Sequence, residues 1–459
     1  MDGAAPMPDA GRMRMRHSRI AATLAVVLAT GTACGGTADP GSGAPDGVWE
    51  VTDYGTVLDV RGDLLQTYQV TSISCLKGDA GTGPDHRFTL PGSDVYTVRP
   101  GAGPDRALLH VDGSPGDLAL RRLPRLPEAC DAPPPPAFDV FWQTFREHYP
   151  FFAMKGVDWQ QVRDRFRERA VTADDPGLFA ALRDMVAPLN DMHVMVSAGD
   201  LGRFTMVRPG TEMPTRDLDT KVREHIRRRD LGDQPFTEFA GGRIAFATLP
   251  GHPEYGYLRV SGFAGYTAAH TFAADSAELD RAMDAILTPG LLGRMRGLIL
   301  DLRVNGGGAD SLGLQLAGRL TDRAYFAYTK KTAGTDARTF SVEPGRTRYT
   351  GPVAILTGGS TVSAGETFTQ AMMRRPGKTV RIGQPTQGVF SDVLERKLPG
   401  AGHDDWAFAL PNEIFLTADG RAFDGTGIPP ELAEPVFTDE EFAQDRDSAF
   451  DRAVAWFGS

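Results

Sequence analysis

The sequence predicts a mixed α/β protein, with a small β-rich module and a helical segment ahead of a layered α/β core. Three observations predict this order. Short alternating runs broken by Gly, Asp and Pro fill 48–132, and apolar residues at helical spacing fill 137–200. Strand-like apolar runs then alternate with helices through 201–459. A chain of 459 residues exceeds one ordinary domain and has room for these units. A net charge of −10 argues against nucleic acid as a partner, because phosphate binding needs a basic surface. Three cysteines are too few for a disulfide scaffold or a four-ligand zinc site, and no metal or cofactor is expected.

Residues 1–33 read as an export signal. Arg12, Arg14, Arg16 and Arg19 form a basic start, and Ile20 to Leu28 is an apolar run shorter than the roughly twenty residues that span a bilayer. Gly31-Thr32-Ala33-Cys34 closes the run and resembles a bacterial lipoprotein cleavage site, which implies Cys34 as the lipidated first residue and a membrane tether facing outside. Gly31 stands where such sites usually carry a larger aliphatic residue. Residues 34–47, rich in Gly, Ser and Pro, read as a flexible tether.

The β module at 48–132 contains runs such as Thr56–Val60 and Gln66–Val70 and carries no catalytic constellation. Cys75 and Cys130 are candidates for a disulfide, since an exported chain lies where disulfides persist. Pro133 to Pro136 stiffens the exit. Phe138, Phe141, Trp142, Phe145 and Tyr149 then mark one helical face, and a second helix covers Trp159 to Arg169. A third opens with Asp175 as N-cap and Pro176 at N1, and delivers Asn190-Asp191-Met192-His193 at its end. The basic run Lys221 to Arg229 reads as a solvated helix face.

In the core, Gly297 to Arg303 is a buried strand leading into Asn305-Gly306-Gly307-Gly308, with a helix beginning near Ser311. Pro352 to Thr357 is a second buried strand, and it leads into Ser360-Thr361-Val362-Ser363-Ala364-Gly365-Glu366 and a helix. A serine between a strand and a helix sits where backbone N–H groups favour developing negative charge. Phosphate-binding alternatives fail on the residues. Gly377-Lys378-Thr379 has Met372 where a Walker loop needs glycine, and Ser311 breaks a dinucleotide fingerprint.

Asp301 to Gly308 and Ser363-Ala364-Gly365-Glu366, together with Leu189 to His193 and Asp424 to Glu431, resemble the C-terminal-processing, or tail-specific, peptidase family S41. The resemblance covers about Phe138 to Phe457. It implies a ClpP/crotonase-like ββα core, Ser363 as nucleophile, oxyanion donors at Gly307 and Ala364, and peptides or unfolded protein segments as substrates. The family's processing branch uses a lysine after Thr-x-Gly, but Thr386-Gln387-Gly388 is followed here by Val389. The tricorn and retinoid-binding-protein-like branch uses a histidine and a late carboxylate, which implies His193 and Asp424, with Asp where that branch usually has Glu. A histidine near its ordinary pKa of about 6.5 suits proton transfer from a serine hydroxyl. Two alternatives remain open from the residues. One is an α/β-hydrolase-type esterase using Ser363, Asp392 and His403, and the other is a non-catalytic peptide- or ligand-binding lipoprotein on the same fold.

Overall fold

The structure, a computed structural model, describes residues 46–459; the export signal, Cys34 and nearly all of the 34–47 tether lie outside the described residues. Eight antiparallel strands between Gly47 and Leu123 close into a barrel, the first pairing the last from Val48↔Leu123 to Val51↔Leu120. Closure removes the edges that a small open sheet would expose. Cys75 opens the strand Cys75–Thr82 and is bonded to Cys130 in the turn that leaves the barrel.

The core of the barrel is continuous with that of the helical segment. Trp49, Leu58 and Leu120 belong to one buried cluster with Phe141 and Phe145 of the helix Ala137–His148, Leu182 and Met185 of Asp175–Val186, and Phe408 from late in the chain. The helical faces read from spacing are therefore packing faces. The third helix starts one residue earlier than its sequence suggests. Asp174, not Asp175, caps it by accepting the Gly177 N–H at 3.0 Å, which puts Pro176 at the second helical position. Either aspartate can cap, and the local backbone decides. The strand Met195–Ala198, just beyond His193, pairs with Trp406–Pro411, so the helical segment is stitched into the C-terminal part.

A seven-stranded sheet forms the core of that part, in the order Thr237–Phe239, Ile244–Leu249, His252–Val260, Gly297–Asp301, Val353–Thr357, Thr379–Gly383, Leu432–Ala433. The last five run parallel. Alternate residues of its central strands enter two different cores. Leu298, Leu300, Val353 and Ile355 pack on one face, while Ile299, Ala354 and Leu356 pack on the other. Burial on both faces is why these strands read as unbroken apolar runs. The helix after the glycine turn begins at Asp310 rather than Ser311. The basic helix Arg216–Arg229 is exposed on one face but not merely solvated, since Arg228 and Arg229 pair with Asp445 and Asp451.

Replacing both Cys75 and Cys130 by serine is expected to lower the unfolding free energy by roughly 4 kcal/mol, the loop-entropy value for a closure of 55 residues. Urea denaturation of the two proteins measures the difference. An unchanged midpoint would show that the bond adds nothing.

Candidate active site

Two short parallel segments bring the conspicuous motifs together. Beyond the main sheet, Val304 pairs with Ser360 and Asn305 with Thr361, and the Val362 N–H donates to the Asn305 carbonyl at 3.0 Å. The glycine turn therefore lies directly against the serine turn. Ser363 stands at φ +55°, a conformation a non-glycine residue adopts only when its surroundings impose it. It is half-buried and heads the helix Ala364–Met372. Ala364 is the first residue of that helix, so its N–H has no intrahelical acceptor and is free to meet an oxyanion.

Gly307 has to be glycine. Its φ is +80°, and a Cβ there would sit 2.6 Å from Ser363 Cβ and 3.1 Å from Ser363 Oγ. Its N–H donates to Asn305 Oδ1 at 3.0 Å, so it reaches an oxyanion only by sharing that bond. Asn305 is fully buried and fixed from its other end by donating Nδ2–H to the Val260 carbonyl at 2.8 Å. Asp301 and Arg303 brace the strand below. Arg303 donates to Asp301 at 2.7 Å and to Asp447 at 2.6 Å, and the Tyr257 hydroxyl donates to Asp301 at 2.5 Å.

Glu366 joins this turn to the loop Thr386–Val389. Its carboxylate is fully buried and accepts N–H groups from Ser363 (3.2 Å), Gly388 (2.6 Å) and Val389 (2.8 Å). Burial pushes its pKa up to about 7 against these hydrogen bonds. Arg208 holds the same loop from outside through the carbonyls of Thr386 (2.7 Å) and Gln387 (2.8 Å). Val389, where a dyad lysine would stand, returns its carbonyl to the Ser363 N–H at 3.1 Å. Lys330 is buried but is no substitute base. Burial lowers its pKa, yet Asp392 at 2.5 Å and Glu413 at 2.9 Å more than offset this and keep it charged.

His193 and Asp424 approach the same loop. Burial lowers the pKa of His193, opposed by the charges of Asp191 and Asp392 and by a hydrogen bond to the Ser391 backbone. Asp424 Oδ1 accepts the Phe390 N–H at 3.4 Å, and burial together with Asp191 and Glu366 pushes its carboxyl well above the ordinary aspartate range. His193 Nδ1 and Asp424 Oδ2 are both buried without a hydrogen-bond partner. Sequence reasoning missed Asp191 and Tyr149 as the supports here. Asp191 accepts the His193 backbone N–H at 3.0 Å and the Tyr149 hydroxyl at 3.0 Å. The spacing Asp191-x-His193 was the available signal, since a carboxylate two residues before an N–H is a common local cap.

The esterase set is not assembled. The ring nitrogens of His403 face Asp175 (3.0 Å) and the Pro399 carbonyl (3.2 Å), and the ring stacks on Trp406. Asp392 is committed to Lys330. Among the described residues, no cluster of three or more His, Cys, Asp or Glu side chains is arranged to hold a metal ion.

Comparison with known proteins places these elements. A model of peptidase family S41 matches residues 254–433, and a model of the tricorn protease C1 domain matches residues 134–187. A carboxy-terminal-processing protease of Bartonella bacilliformis is 24% identical over 175 residues, which is 38% of this chain and 39% of that relative. The chain thus spans well under half of that relative's length. A solved structure from Parabacteroides merdae shares the fold with a TM-score of 0.57 at 22% identity, covering 70% of this chain and 96% of that one. A lipoprotein from Streptococcus agalactiae aligns with a TM-score of 0.45 at 15% identity, covering 71% of this chain and 98% of that one.

Gly307→Ala is expected to destabilise the fold by about 1–3 kcal/mol through overpacking and strain, and to abolish labelling of Ser363 by a fluorophosphonate. Intact-mass analysis reads the labelling. Full labelling in the alanine variant would show that Gly307 does not confine Ser363.

Proposed function

Because the chain belongs to peptidase family S41, we propose that it is an exported serine peptidase, tethered to the membrane through lipid on Cys34, that hydrolyses peptide bonds. Ser363 is the nucleophile, His193 its general base and Asp424 the acid partner of the histidine. The observation that carries this reading is the Ser363 turn, a serine forced to φ +55° at a helix start and pressed against Gly307. A strained turn presents Oγ outward while the following N–H, that of Ala364, meets the negative charge.

In the first step His193 takes the Ser363 hydroxyl proton as Oγ attacks the substrate carbonyl. The carbonyl oxygen gains its charge beside the Ala364 N–H, with Gly307 as the second donor. The amine then leaves with the proton from His193, and water repeats the sequence on the acyl-serine. Asp424 stabilises the imidazolium formed in both half-reactions. The substrates are peptides or unfolded protein segments. The name of the Bartonella relative suggests that these include carboxy-terminal tails.

Ser363→Ala and His193→Ala should each lower kcat/KM by roughly 10⁴-fold or more, and the double variant should lose little further, because the pair acts as a unit. Full activity in His193→Ala with the fold intact would remove the histidine from the mechanism. The pH profile has a definite sign. Burial penalises the imidazolium, so the base stays neutral to lower pH, and kcat/KM should rise through an ionisation below 6.5 and then level off. An acid limb centred well above that value would contradict the assignment. Cys34→Ala should move the protein from the membrane to the soluble fraction, since stable anchoring needs acyl chains. Unchanged fractionation would refute the tether.

A further inference from the structure

A cleft of about 480 Å³ runs between the barrel and the core, within the range of roughly 300–1,000 Å³ typical of ligand sites. Its core wall is formed by Gly308, Ala309 and Asp310, which continue the glycine turn that touches Ser363, and by the segment Asp392–Arg396 with Asn412. Its barrel wall includes Tyr68, Tyr96, Leu109 and Val111. The cleft therefore starts within a few residues of the nucleophile and is half built by a module with no chemistry of its own.

Two side chains lining the cleft, Asp310 just after the glycine turn and Asn412, are buried and incompletely bonded. Asp310, 7% exposed, accepts the Thr367 hydroxyl at Oδ1 at 2.7 Å and leaves Oδ2 without a partner. Asn412, 2% exposed, has neither amide atom bonded. Orphaned polar atoms of this kind each cost about 1–3 kcal/mol, which a bound group can recover. The charges in the cleft are also unbalanced. Asp79 is paired with Lys397, Asp112 with Arg87 and Asp392 with Lys330, whereas Asp94, Glu395 and Asp310 form no ion pair among the described residues. The one guanidinium in the wall, that of Arg396, is spent on the Tyr54 and Glu395 carbonyls. Three carboxylates therefore stand against one guanidinium without ion-pair partners, and the guanidinium has its hydrogen bonds satisfied by carbonyls. Burial, then the Asp392 and Glu413 carboxylates, raise the Asp310 pKa to about 7 against the charge of Lys330, and a bound cation would oppose that shift.

We propose that this cleft is the specificity site of the peptidase and takes a lysine or arginine side chain of the substrate, its stem along the apolar barrel wall and its charge between Glu395 and Asp310. The inference rests on the peptidase reading for the word substrate, but the site itself can be tested without turnover. Long basic side chains suit such a place, because the methylenes are buried while the head keeps its hydrogen bonds.

The test uses the exported chain carrying Ser363→Ala and pairs of fluorescent peptides that differ only in lysine against norleucine, placed at each position in turn. Anisotropy should give at least one position where lysine binds about tenfold tighter or better, the value of one charge-assisted hydrogen bond. Asp310→Asn should pull that ratio towards one, and so should Glu395→Lys at the exposed mouth, which decides alone if the buried substitution fails to fold. A ratio of one at every position, a preference for glutamate, or a lysine preference indifferent to the substitutions that fold would overturn the proposal. The two readings fail separately. Cleavage by the unmodified enzyme without lysine selectivity removes the cleft and leaves the peptidase. Lysine selectivity without cleavage of any peptide keeps the cleft and removes the peptidase.

Discussion

The buried carboxylate of Glu366 accepts backbone N–H groups from both halves of the active site, and the rest of the site is held in place by that bracket. One bond fixes the Ser363 turn, and two fix Gly388 and Val389. The residues immediately following then make the remaining contacts. Phe390 donates to Asp424, and Ser391 lies against His193. A carboxylate in this position carries a desolvation penalty, which its hydrogen bonds oppose. Without it the buried N–H groups of Gly388 and Val389 would be orphaned, and the Ser363 N–H, at φ +55°, would keep only the Val389 carbonyl.

The barrel depends on the same region through a second buried polar network. Tyr54, at the end of the first hairpin, donates its hydroxyl to Glu413, which also receives Arg338 at 2.8 Å and Lys330 at 2.9 Å. Lys330 in turn holds Asp392. The Ser391 hydroxyl accepts the N–H groups of Asn412 and Glu413 at 3.0 and 2.8 Å, which ties the strand bearing this network to the loop beside His193. Buried ion pairs are weak evidence for stability, since desolvation offsets much of their attraction. Their geometric effect is clearer: the barrel is registered against the loop beside His193 by directional bonds, whereas an apolar seam would allow sliding.

Much of this was legible in the sequence for a physical reason. Strands buried on both faces must be apolar throughout, so Gly297–Asp301 and Val353–Thr357 stand out, and turns that press backbone on backbone must use glycine and small residues, so 305–308 and 363–365 stand out. What was hidden depends on partners distant in sequence. Nothing local says that Tyr149 will meet Asp191 or that His403 will be a packing residue tied to Asp175. The cap at Asp174 rather than Asp175 was hidden for the opposite reason, since two equivalent residues stood side by side. Barrel closure is likewise set by the pairing of first and last strands, about seventy residues apart, and leaves no periodic mark.

The protonation pattern suggests why the strained turn and the unpaired atoms coexist. In the resting protein, burial disfavours charge on His193, and burial together with the charges of Asp191 and Glu366 disfavours it on Asp424. Neither of these two groups is favoured in its charged form before substrate arrives. Under the proposed roles, removal of the Ser363 proton creates an imidazolium, whose field lowers the Asp424 pKa and makes a bond to the orphaned Oδ2 favourable at that moment. An interaction made in the transition state and absent from the ground state contributes fully to rate, whereas one made in both would only tighten binding. Asp191, fixed by Tyr149 and the His193 N–H, gives this arrangement its sign. Its charge adds to burial in raising the Asp424 carboxyl and favours the imidazolium of His193. The same aspartate thus opposes charge on Asp424 and supports it on His193.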